Sequence, residues 1–470
     1  SGLWSIYIAQ YDAEGNFKWA KIAASGSSID VNSICLDKSG NMAIVGEFSG
    51  SAVFGNNSVT LTSSADYDVF VARFNSEGEL SWGKSVAGQG FDYASGVSSD
   101  DAGNFYFTGE FHKSSFNGSA SKIFLAKYDS SGNFVWMKMP QDYSNFHGGN
   151  AIKTMADGTS YITGIFFDSL SFDSSIVLDA GNVESNIFIG KFDADGNILW
   201  LQKAGAGSGY TGAEAIDADQ SGNAYVTGFY RGTISFGSLT LTGPTDLTYD
   251  VFIAKCDADG NFLWVNKAYG AGVLDDGTAI CVDNSGDCYV AGYFSADFTL
   301  GNTVLSNSGD EDVFIAKIDA LGNFIWATQC GGMNAVNVGG MKVNASGIFV
   351  DGNFTNDISF GNTITLTADV PDQSDIFISK IDNTTGIPGE GDSSSSFFLF
   401  PNPVADEFQL KGASDFFEYT IYDAQGRFMS EGSGSEGEKI SVQNLPAGIY
   451  FIDIRKKGSA QFRKIKFIKN

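Results

Sequence analysis

Residues 213–230 read AEAIDADQSGNAYVTGFY, and residues 250–268 read DVFIAKCDADGNFLWVNKA. Together they contain four short runs rich in β-branched and aromatic residues, 213–219, 223–230, 250–257 and 261–268, each bounded by turn residues. Neither these segments nor the rest of the chain sustains an apolar period of 3.6 residues. The two segments therefore predict four antiparallel strands and very little helix.

Two of the turns between these runs follow the pattern Asp-x-x-Gly-Asn, at residues 219–223 and 257–261. An Asp side chain in such a turn accepts backbone N–H bonds, and the Gly takes the left-handed conformation that closes a type I turn plus bulge. The pattern predicts that these turns join the strands as hairpins.

The same unit recurs along the first 386 residues. The strand at 250–257 has seven versions, at 6–12, 69–75, 123–129, 187–193, 251–257, 313–319 and 376–382. Two single residues mark the repeat, a Trp in the fourth run (Trp19, Trp82, Trp136, Trp200, Trp264, Trp326) and a Gly in the second (Gly46, Gly109, Gly164, Gly228, Gly292, Gly352). Repeats of this length indicate a repeat architecture.

A four-stranded antiparallel unit repeated roughly every 63 residues is what a β-propeller requires. We expect the recurrent Phe and Trp residues to pack between neighbouring blades. Counting strands along the chain gives two, then five sets of four, then three. Because the chain begins within a repeat, we expect further residues upstream of Ser1 and favour seven blades, with six as the alternative.

The repeat stops near residue 386, and IPGEGDSSSS at 387–396 has the composition of a flexible linker. Residues 397–470 carry 10 Lys plus Arg and 9 Asp plus Glu, whereas the preceding residues carry 18 and 46. Seven short apolar runs separated by turn residues in this tail predict a small immunoglobulin-like β-sandwich. The chain is therefore expected to be all-β, with a propeller at 1–386 and a separate domain at 397–470.

The D-x-x-G-N-x-Y-V-T-G and D-x-F-x-A-K-x-D-x-x-G-N-x-x-W patterns resemble the SBBP-type bacterial β-propeller repeats. The tail resembles the type A C-terminal sorting domain of the Bacteroidota type IX secretion system. Its four matching motifs are FPNP at 400–403, YDAQGR at 422–427, LPAGIYF at 445–451 and KIKFIK at 464–469. The positions that carry this resemblance are Pro401, Asn402, Pro403, Gly426, Arg427, Leu445, Gly448, Tyr450, Lys464, Lys466 and Lys469.

The resemblance of the tail implies export across the outer membrane, to the cell surface or the medium. It implies three partners for the tail: an outer-membrane shuttle barrel, a translocon and a sortase. A sortase cut near the linker would fall close to Ser393, Ser394, Ser395 and Ser396. From the backbone requirements of tight turns, we expect Gly426 and Gly448 to adopt positive φ.

Composition excludes several other functions. The net charge of −27 repels nucleic acid and anionic lipid. The sequence contains no apolar run long enough to span a membrane, and its first residues do not resemble a signal peptide. The odd number of cysteines, five, argues against a framework of paired disulfides. A single hairpin disulfide between Cys281 and Cys288 is kept as an alternative.

No convergent catalytic set stands out, and we expect no cofactor and no enzymatic activity. The turns with Asp193, Asp195, Asp257 and Asp259 look like the start of a calcium loop but lack its closing Glu, which favours plain turns. We favour a binding or adhesion module for a glycan or a protein. A polysaccharide-active enzyme, with acids and aromatics near residues 139–150, and a structural envelope component are the alternatives.

Overall fold

The computed structural model describes most of the chain as β-strands joined by turns. The described residues are 4–12, 15–56, 58–64, 66–86, 88, 90–112, 120–140, 144–145, 148–173, 176–181, 185–244, 248–361, 364–370, 372–381, 398–400, 406–411, 417–423, 427–435, 438–446, 448–456 and 463–469. Throughout these ranges no residue is helical, as the sequence predicts. The chain divides into two compact units, Ser1–Gly389 and Glu390–Asn470.

The first unit contains the repeated strands. In chain order they are β1 (Trp4–Tyr11), β2 (Phe17–Leu36), β3 (Met42–Phe54), β4 (Val59–Thr62), β5 (Asp68–Phe74), β6 (Leu80–Val86), β7 (Asp92–Ser99), β8 (Phe105–His112), β9 (Ala120–Tyr128), β10 (Phe134–Lys138), β11 (Ser144–Asn145), β12 (Gly148–Thr154), β13 (Ser160–Phe166), β14 (Ser169–Asp173), β15 (Ile176–Asp179), β16 (Asn186–Phe192), β17 (Ile198–Ser208), β18 (Thr211–Ala218), β19 (Ala224–Tyr230), β20 (Thr233–Phe236), β21 (Leu239–Thr242), β22 (Asp250–Cys256), β23 (Phe262–Gly270), β24 (Asp276–Val282), β25 (Cys288–Phe294), β26 (Phe298–Leu300), β27 (Thr303–Leu305), β28 (Asp312–Ile318), β29 (Phe324–Gly331), β30 (Val336–Asn344), β31 (Gly347–Thr355), β32 (Asp357–Phe360), β33 (Ile364–Thr367) and β34 (Ser374–Ile381).

These strands fill seven blade positions of a β-propeller. Position 1 holds β1 and residues 17–26 of β2, and position 7 holds β30, β31 and β34. The five positions between them each have four antiparallel strands: residues 28–36 of β2 with β3, β5 and β6; then β7–β10; β12, β13, β16 and β17; β18, β19, β22 and β23; and β24, β25, β28 and β29. A six-bladed ring would pair residues 17–26 with β34. In the described part of the chain β34 pairs with β31 alone, so the strand pairing agrees with seven positions.

The prediction of four strands per unit is incomplete. A further hairpin lies between the second and third of these strands in the repeat and joins the outer edge of the preceding blade. The hairpins β20–β21, β26–β27 and β32–β33 pair in this way with β17, β23 and β29 and extend each of those sheets to six strands. The sequence pattern shows these strands only weakly, because they are three to four residues long.

Apolar side chains between consecutive blades form the core. Six clusters of buried residues each join two neighbouring positions. Cys281 belongs to the cluster between positions 6 and 7, and Cys288 to the cluster between positions 5 and 6. The two thiols therefore lie on opposite faces of one sheet and are free, so no hairpin disulfide joins them.

The Asp-x-x-Gly-Asn turns form as predicted. At residues 219–223, Asp219 Oδ1 accepts the backbone N–H of Ser221 at 2.9 Å and that of Asn223 at 3.0 Å, and Gly222 has a φ of +83°. The turn at 257–261 has the same bonds, and Gly260 has a φ of +88°. Each turn is closed by the side chain of its first residue and by the left-handed Gly.

The turn after the third strand in positions 4, 5 and 6 also fastens the preceding blade. The Trp264 indole Nε1 and the Lys255 ammonium Nζ, both in position 5, each donate to the carbonyl oxygen of Ala320 in position 6, at 3.2 Å. The same two kinds of donor converge on Ala194 from Trp136 and Lys127, and on Ala258 from Trp200 and Lys191. The repeat therefore keeps Lys and Trp because both reach the turn of the next blade.

The second unit contains seven strands, as predicted. They are β35 (Phe398–Phe400), β36 (Glu407–Lys411), β37 (Phe417–Asp423), β38 (Phe428–Gly434), β39 (Lys439–Ser441), β40 (Gly448–Lys456) and β41 (Arg463–Lys469). They form one sheet in the order β35-β36-β39 and another in the order β38-β37-β40-β41. Phe408 and Ile440 from the first sheet pack with Ile421 and Ile452 from the second, which makes the unit a two-layer sandwich.

Candidate functional site

The inner strand of each blade from position 2 to position 7 contains a β-bulge at the same place. The bulged residue is unpaired, and the neighbouring strand has the repeat's invariant Gly beside it. The six bulged residues are Asn32, Ser95, Asn150, Glu214, Thr278 and Gly339. Bulges of this kind redirect side chains and are common next to functional sites.

The bulge explains why the repeat has a Gly on the second strand. A Cβ atom on Gly228 would overlap the carbonyl oxygen of Gly212 on the inner strand. The equivalent overlap would occur at Gly46, Gly109, Gly164, Gly292 and Gly352. No side chain fits at these positions, because the bulge brings the inner-strand backbone too close.

One pair farther from each bulge than the invariant Gly, one residue of the inner strand faces one residue of the second strand. We name these the rim pairs. They are Asp30 with Glu47, Tyr93 with Glu110, Gly148 with Ile165, Gly212 with Phe229, Asp276 with Tyr293, and Asn337 with Asn353. Because all six occupy the same place in the repeat, they lie at one end of the propeller. They differ from blade to blade, whereas the adjoining Gly does not.

In position 2 the rim is acidic. Burial raises the pKa of Glu47 to about 7. A hydrogen bond from Asn32 lowers this pKa in part, and the negative charge of Asp30 raises it. The Asn32 Nδ2 donates to Glu47 Oε2 at 2.6 Å and to the carbonyl oxygen of Ala94 in the next blade at 3.0 Å. Asn32 therefore ties the first acidic pair to the neighbouring inner strand.

In positions 5 and 6 the rim carries acids and aromatic rings. Burial raises the pKa of Glu214. Burial and the charge of Glu214 together raise the pKa of Asp276 well above its usual range. Burial, followed by the charges of Asp276, Glu311 and Glu214, raises the pKa of Tyr293. Asp276 and Tyr293 are hydrogen-bonded to each other through their side chains, and the charge of Glu214 acts on both.

Aromatic residues in the adjoining loops extend this surface. The ring centroids of Tyr67 and Phe91 lie 4.6 Å apart in a stacked arrangement, and Phe91 stacks in turn on Tyr93. Farther along the rim, the Tyr210 ring stacks on that of Phe229 at 5.9 Å. Half-buried rings next to carboxylates provide the apolar faces and the polar groups that ligand sites combine.

The opposite part of the inner strands carries a buried ion pair. Lys153 Nζ lies 2.5 Å from Asp217 Oδ1, and the backbone N–H of Val282 in the next blade donates to Asp217 Oδ2 at 3.0 Å. Although burial acts to raise it, the charges of Lys153 and Lys342 hold the pKa of Asp217 below its usual value. This carboxylate joins neighbouring inner strands and belongs to the scaffold.

Several residues of the expected sorting signal lie outside the described residues: Pro401, Asn402, Pro403 and Gly426, as well as Ser393, Ser394, Ser395 and Ser396 of the linker. Lys464 and Lys466 lie in β41, which pairs with β40. Lys469 ends that strand, buried, with its Nζ 3.8 Å from Asp406 Oδ1.

The remaining sorting-motif residues have identifiable structural partners. The Arg427 Nε donates to Asp423 Oδ2 at 2.6 Å, and the Arg427 side chain is 76% exposed. The Tyr450 hydroxyl donates to the carbonyl oxygen of Pro446 at 2.8 Å, and Leu445 packs against the sandwich core. The expectation of positive φ at Gly448 is wrong, because this residue lies in β40 opposite Lys469.

The calcium candidates form ordinary turns. Asp193 Oδ1 accepts the N–H of Asn197 at 2.8 Å and that of Asp195 at 3.0 Å, while Oδ2 accepts Asn197 Nδ2. Asp257 has the same partners in its own turn, including the N–H of Asp259. Within the described ranges, no three His, Cys, Asp or Glu side chains are grouped as metal ligands.

The sequence did not identify the rim pairs. The stretch at 139–150, named as the place for acids and aromatics, lies partly outside the described residues. Of its residues, Asn150 is the bulged residue of position 4, and its Nδ2 donates to the carbonyl oxygen of Ala213 at 2.9 Å. The signal that identifies the rim is the variable residue after the invariant Gly in each repeat.

Comparison with known proteins separates the two units. Residues 398–469 match the family model of the secretion system C-terminal sorting domain. An uncharacterised WD repeat-containing protein of Acanthamoeba polyphaga mimivirus is 25% identical over 416 residues. That alignment covers 70% of this chain and 30% of the viral protein, so this chain spans less than a third of its relative's length.

A solved structure is also similar to this chain. It is PorZ, described as an essential bacterial surface component of the type IX secretion system of Porphyromonas gingivalis. The identity is 11%, the alignment covers 97% of this chain and 83% of PorZ, and the TM-score is 0.18.

The sorting-domain match places the chain among the cargo or associated surface proteins of type IX secretion, exported to the cell surface or the medium. The repeated sheets, together with the WD-repeat relative, make the first unit a β-propeller. In the part of the chain that the structure describes, no helix is long and apolar enough to span a membrane.

Proposed function

We propose that the propeller is a non-enzymatic binding or adhesion module that takes a glycan or a protein ligand at the rim pairs. The observation that carries this proposal is the contrast within each repeat. The Gly next to the rim is the same in six blades, while the rim pair changes from acidic to aromatic, small or amide. A purely structural ring would have no need for six different pairs at one end.

A glycan array probed with the full chain tests this proposal. We expect binding to a restricted set of glycans, reduced at least about tenfold by the double substitution of Tyr93 and Glu110 with Ala. The matched control is the double substitution of Lys38 and Asp101 with Ala, an exposed ion pair in turns away from the rim. Equal losses in the two variants, or no binding to any glycan or surface protein, would contradict the proposal.

The sorting domain is proposed to deliver this module through an outer-membrane shuttle barrel and a translocon, and to serve as the substrate of a sortase near residues 393–396. Deletion of residues 397–470 should leave the propeller in the periplasm. The measurement is the fraction of protein in the medium and on the cell surface. Continued export of the truncated chain would contradict this role of the tail.

A polysaccharide-active enzyme is the second candidate, because Glu214 and Asp276 are two neighbouring carboxyl groups with raised pKa values. Such a pair resembles the acid and base that glycoside hydrolysis requires. Release of new reducing ends from a bound polysaccharide, abolished by Asp276→Asn, would favour this candidate. Binding without turnover favours the module.

A further inference from the structure

Glu214 breaks a pattern that two other bulged residues share. Asn32 donates its Nδ2 to the carbonyl oxygen of Ala94, and Asn150 donates its Nδ2 to that of Ala213. In both cases the acceptor is the residue before the bulge of the next blade. In position 5 the bulged residue is Glu214, and the equivalent residue of the next blade is Gly277. An ionised carboxylate has no hydrogen to donate, so this bond cannot form.

A second observation points to the same place. Asp276, which precedes Gly277, is only 9% exposed, and its Oδ1 has no hydrogen-bond partner among the described residues. The Thr278 hydroxyl, two residues farther along β24, is also buried without a partner there. A buried polar atom without a partner is costly and rare in native proteins. The carboxyl of Asp276 interacts with the charge of Glu214, so the two side chains lie close together.

The Tyr293 hydroxyl and the Gly277 N–H donate to the Asp276 carboxylate, but no donor in the described part of the chain reaches Asp276 Oδ1. The site therefore has more acceptor atoms than donors and an excess of negative charge. Among the described residues, neither Glu214 nor Asp276 forms an ion pair with a Lys, Arg or His side chain. A primary ammonium group offers three donors on a compact cation, and the half-buried Tyr293 ring adds cation–π attraction. Two carboxylates without a third ligand suit an ammonium group better than a divalent metal.

We propose that Glu214 and Asp276, with Tyr293 beside them, bind the ammonium group of an amino sugar. This inference rests on the proposed binding function and names the ligand class for positions 5 and 6. Phe229 of the neighbouring rim pair lies next to Glu214 with its ring over Gly212. Its aromatic surface and that of Tyr293 favour the flat apolar face of a pyranose ring over the flexible side chain of a lysine.

The test uses the full chain and isothermal titration with a trimer of glucosamine. The matched neutral ligand is the N-acetylglucosamine trimer, which has the same rings without the charge. We expect the glucosamine trimer to bind at least about tenfold more tightly, and higher salt to weaken its binding. Glu214→Asn should weaken binding at least about tenfold. It should keep the melting temperature, because Asn can make the bond seen at Asn32 and Asn150.

Asp259→Asn is the control variant, because it removes one acid from an exposed turn in position 5 and should leave binding unchanged. If Glu214→Asn does not fold, Asp276→Asn provides the same comparison. Equal binding of the two trimers, unchanged binding by the variant, or a trilysine peptide that binds as tightly as the glucosamine trimer would overturn the inference. If neither trimer binds while the protein still binds other glycans on the glycan array, the inference fails and the proposed function stands.

Discussion

At the residue scale, the invariant Gly beside each bulge allows the inner strand of the blade to pair with the second strand. A Cβ on Gly228 would overlap a backbone carbonyl oxygen, which cannot move without breaking the bulge. We expect Gly228→Ala to lower the free energy of unfolding by about 3 kcal/mol, a typical cost of a forced overlap in a packed interior. Chemical denaturation measures this loss.

Gly83→Ala is the matched control for that prediction. Gly83 is also buried in a strand, but its added Cβ would meet Val59 Cγ1 at 3.6 Å and Ala72 Cβ and Phe54 Cγ at 4.0 Å, all ordinary contacts. We expect no loss at this position and a gain of up to about 1 kcal/mol, because Ala restricts the unfolded chain more than Gly. Equal losses at the two sites would show that the bulge carbonyl is not the cause.

The sequence predicted where these glycines are, but not why. The repeat alignment finds Gly228 and its equivalents by position alone. The reason for them depends on a carbonyl of another strand, displaced by a bulge that has no residue signature of its own. The six bulged residues are of five types, so no composition rule identifies them.

Asp275 gives a second prediction at this scale, on pH. Burial raises its pKa to about 7, and its Oδ2 has no hydrogen-bond partner among the described residues. The folded protein therefore holds a proton that the unfolded chain releases near the usual Asp value of about 3.9. Stability falls as the pH rises between these two values, and the whole penalty is present above about 7.

Asp275→Asn removes this penalty because an amide carries no charge. We expect the variant to be more stable at pH 8, by at most about 4 kcal/mol, and the difference to vanish near pH 4. Melting temperatures across this range measure it. Asp92→Asn is the contrasting variant: burial raises that pKa to about 7 as well, but both Asp92 oxygens accept backbone N–H groups, from Gly88 and His112. We expect no gain there, and a larger gain than at Asp275 would contradict the argument.

At the element scale, the turn of one blade is held by two donors of the preceding blade. Trp264 and Lys255 both donate to the carbonyl oxygen of Ala320. Loss of one donor leaves the other in place, so Trp264→Phe and Lys255→Met should each cost about 1 kcal/mol. The double variant removes the last donor and should cost more than the sum. Chemical denaturation of all four proteins gives the coupling energy.

The control for this cycle combines Trp264→Phe with Lys127→Met. Lys127 donates to the carbonyl oxygen of Ala194, in another turn. We expect these two losses to add within about 0.5 kcal/mol, because the sites share no partner. Additive losses in the Trp264 and Lys255 cycle as well would show that the two donors do not act on the same carbonyl.

Strand prediction succeeded where the pattern is local. The Asp-x-x-Gly-Asn turns, the four main strands and the seven strands of the tail follow from turn residues and β-branched or aromatic runs. The outer hairpins were missed, because β20 and β21 are short and pair with the preceding repeat. Gly448 was misjudged because a Gly after a turn was taken as a turn residue, whereas it already belongs to β40.

At the scale of the whole molecule, the seven positions are not all covered alike. Ile378 in β34 and Ile253 in β22 are equivalent residues of the repeat, yet they are 54% and 0% exposed. We expect Ile378→Lys to change the melting temperature little, because the ammonium group stays in water. Ile253→Lys should lower it strongly or prevent folding, since an unpaired charge would be buried.

The thermal comparison of these two variants also tests the arrangement of positions 1 and 7. Ile253→Lys serves as the reference, because Ile253 lies in a blade that has a neighbouring blade on each side. If Ile378→Lys is as destabilising as Ile253→Lys, the face of β34 is covered in solution, and the exposed surface described here is wrong.

The contacts that Trp and Lys make with the turn of the next blade have a consequence for how a repeat can be added to the chain. The repeats of positions 3, 4 and 5 each bring a Trp and a Lys donor for the turn of the next blade, and those of positions 4, 5 and 6 each bring the carbonyl that accepts from the blade before. A copied repeat inserted into the array would match both neighbours without any compensating substitution. Its pair of side chains beyond the bulge would then be free to diverge, so gene duplication could supply a new ligand contact wherever the ring accommodates the added blade.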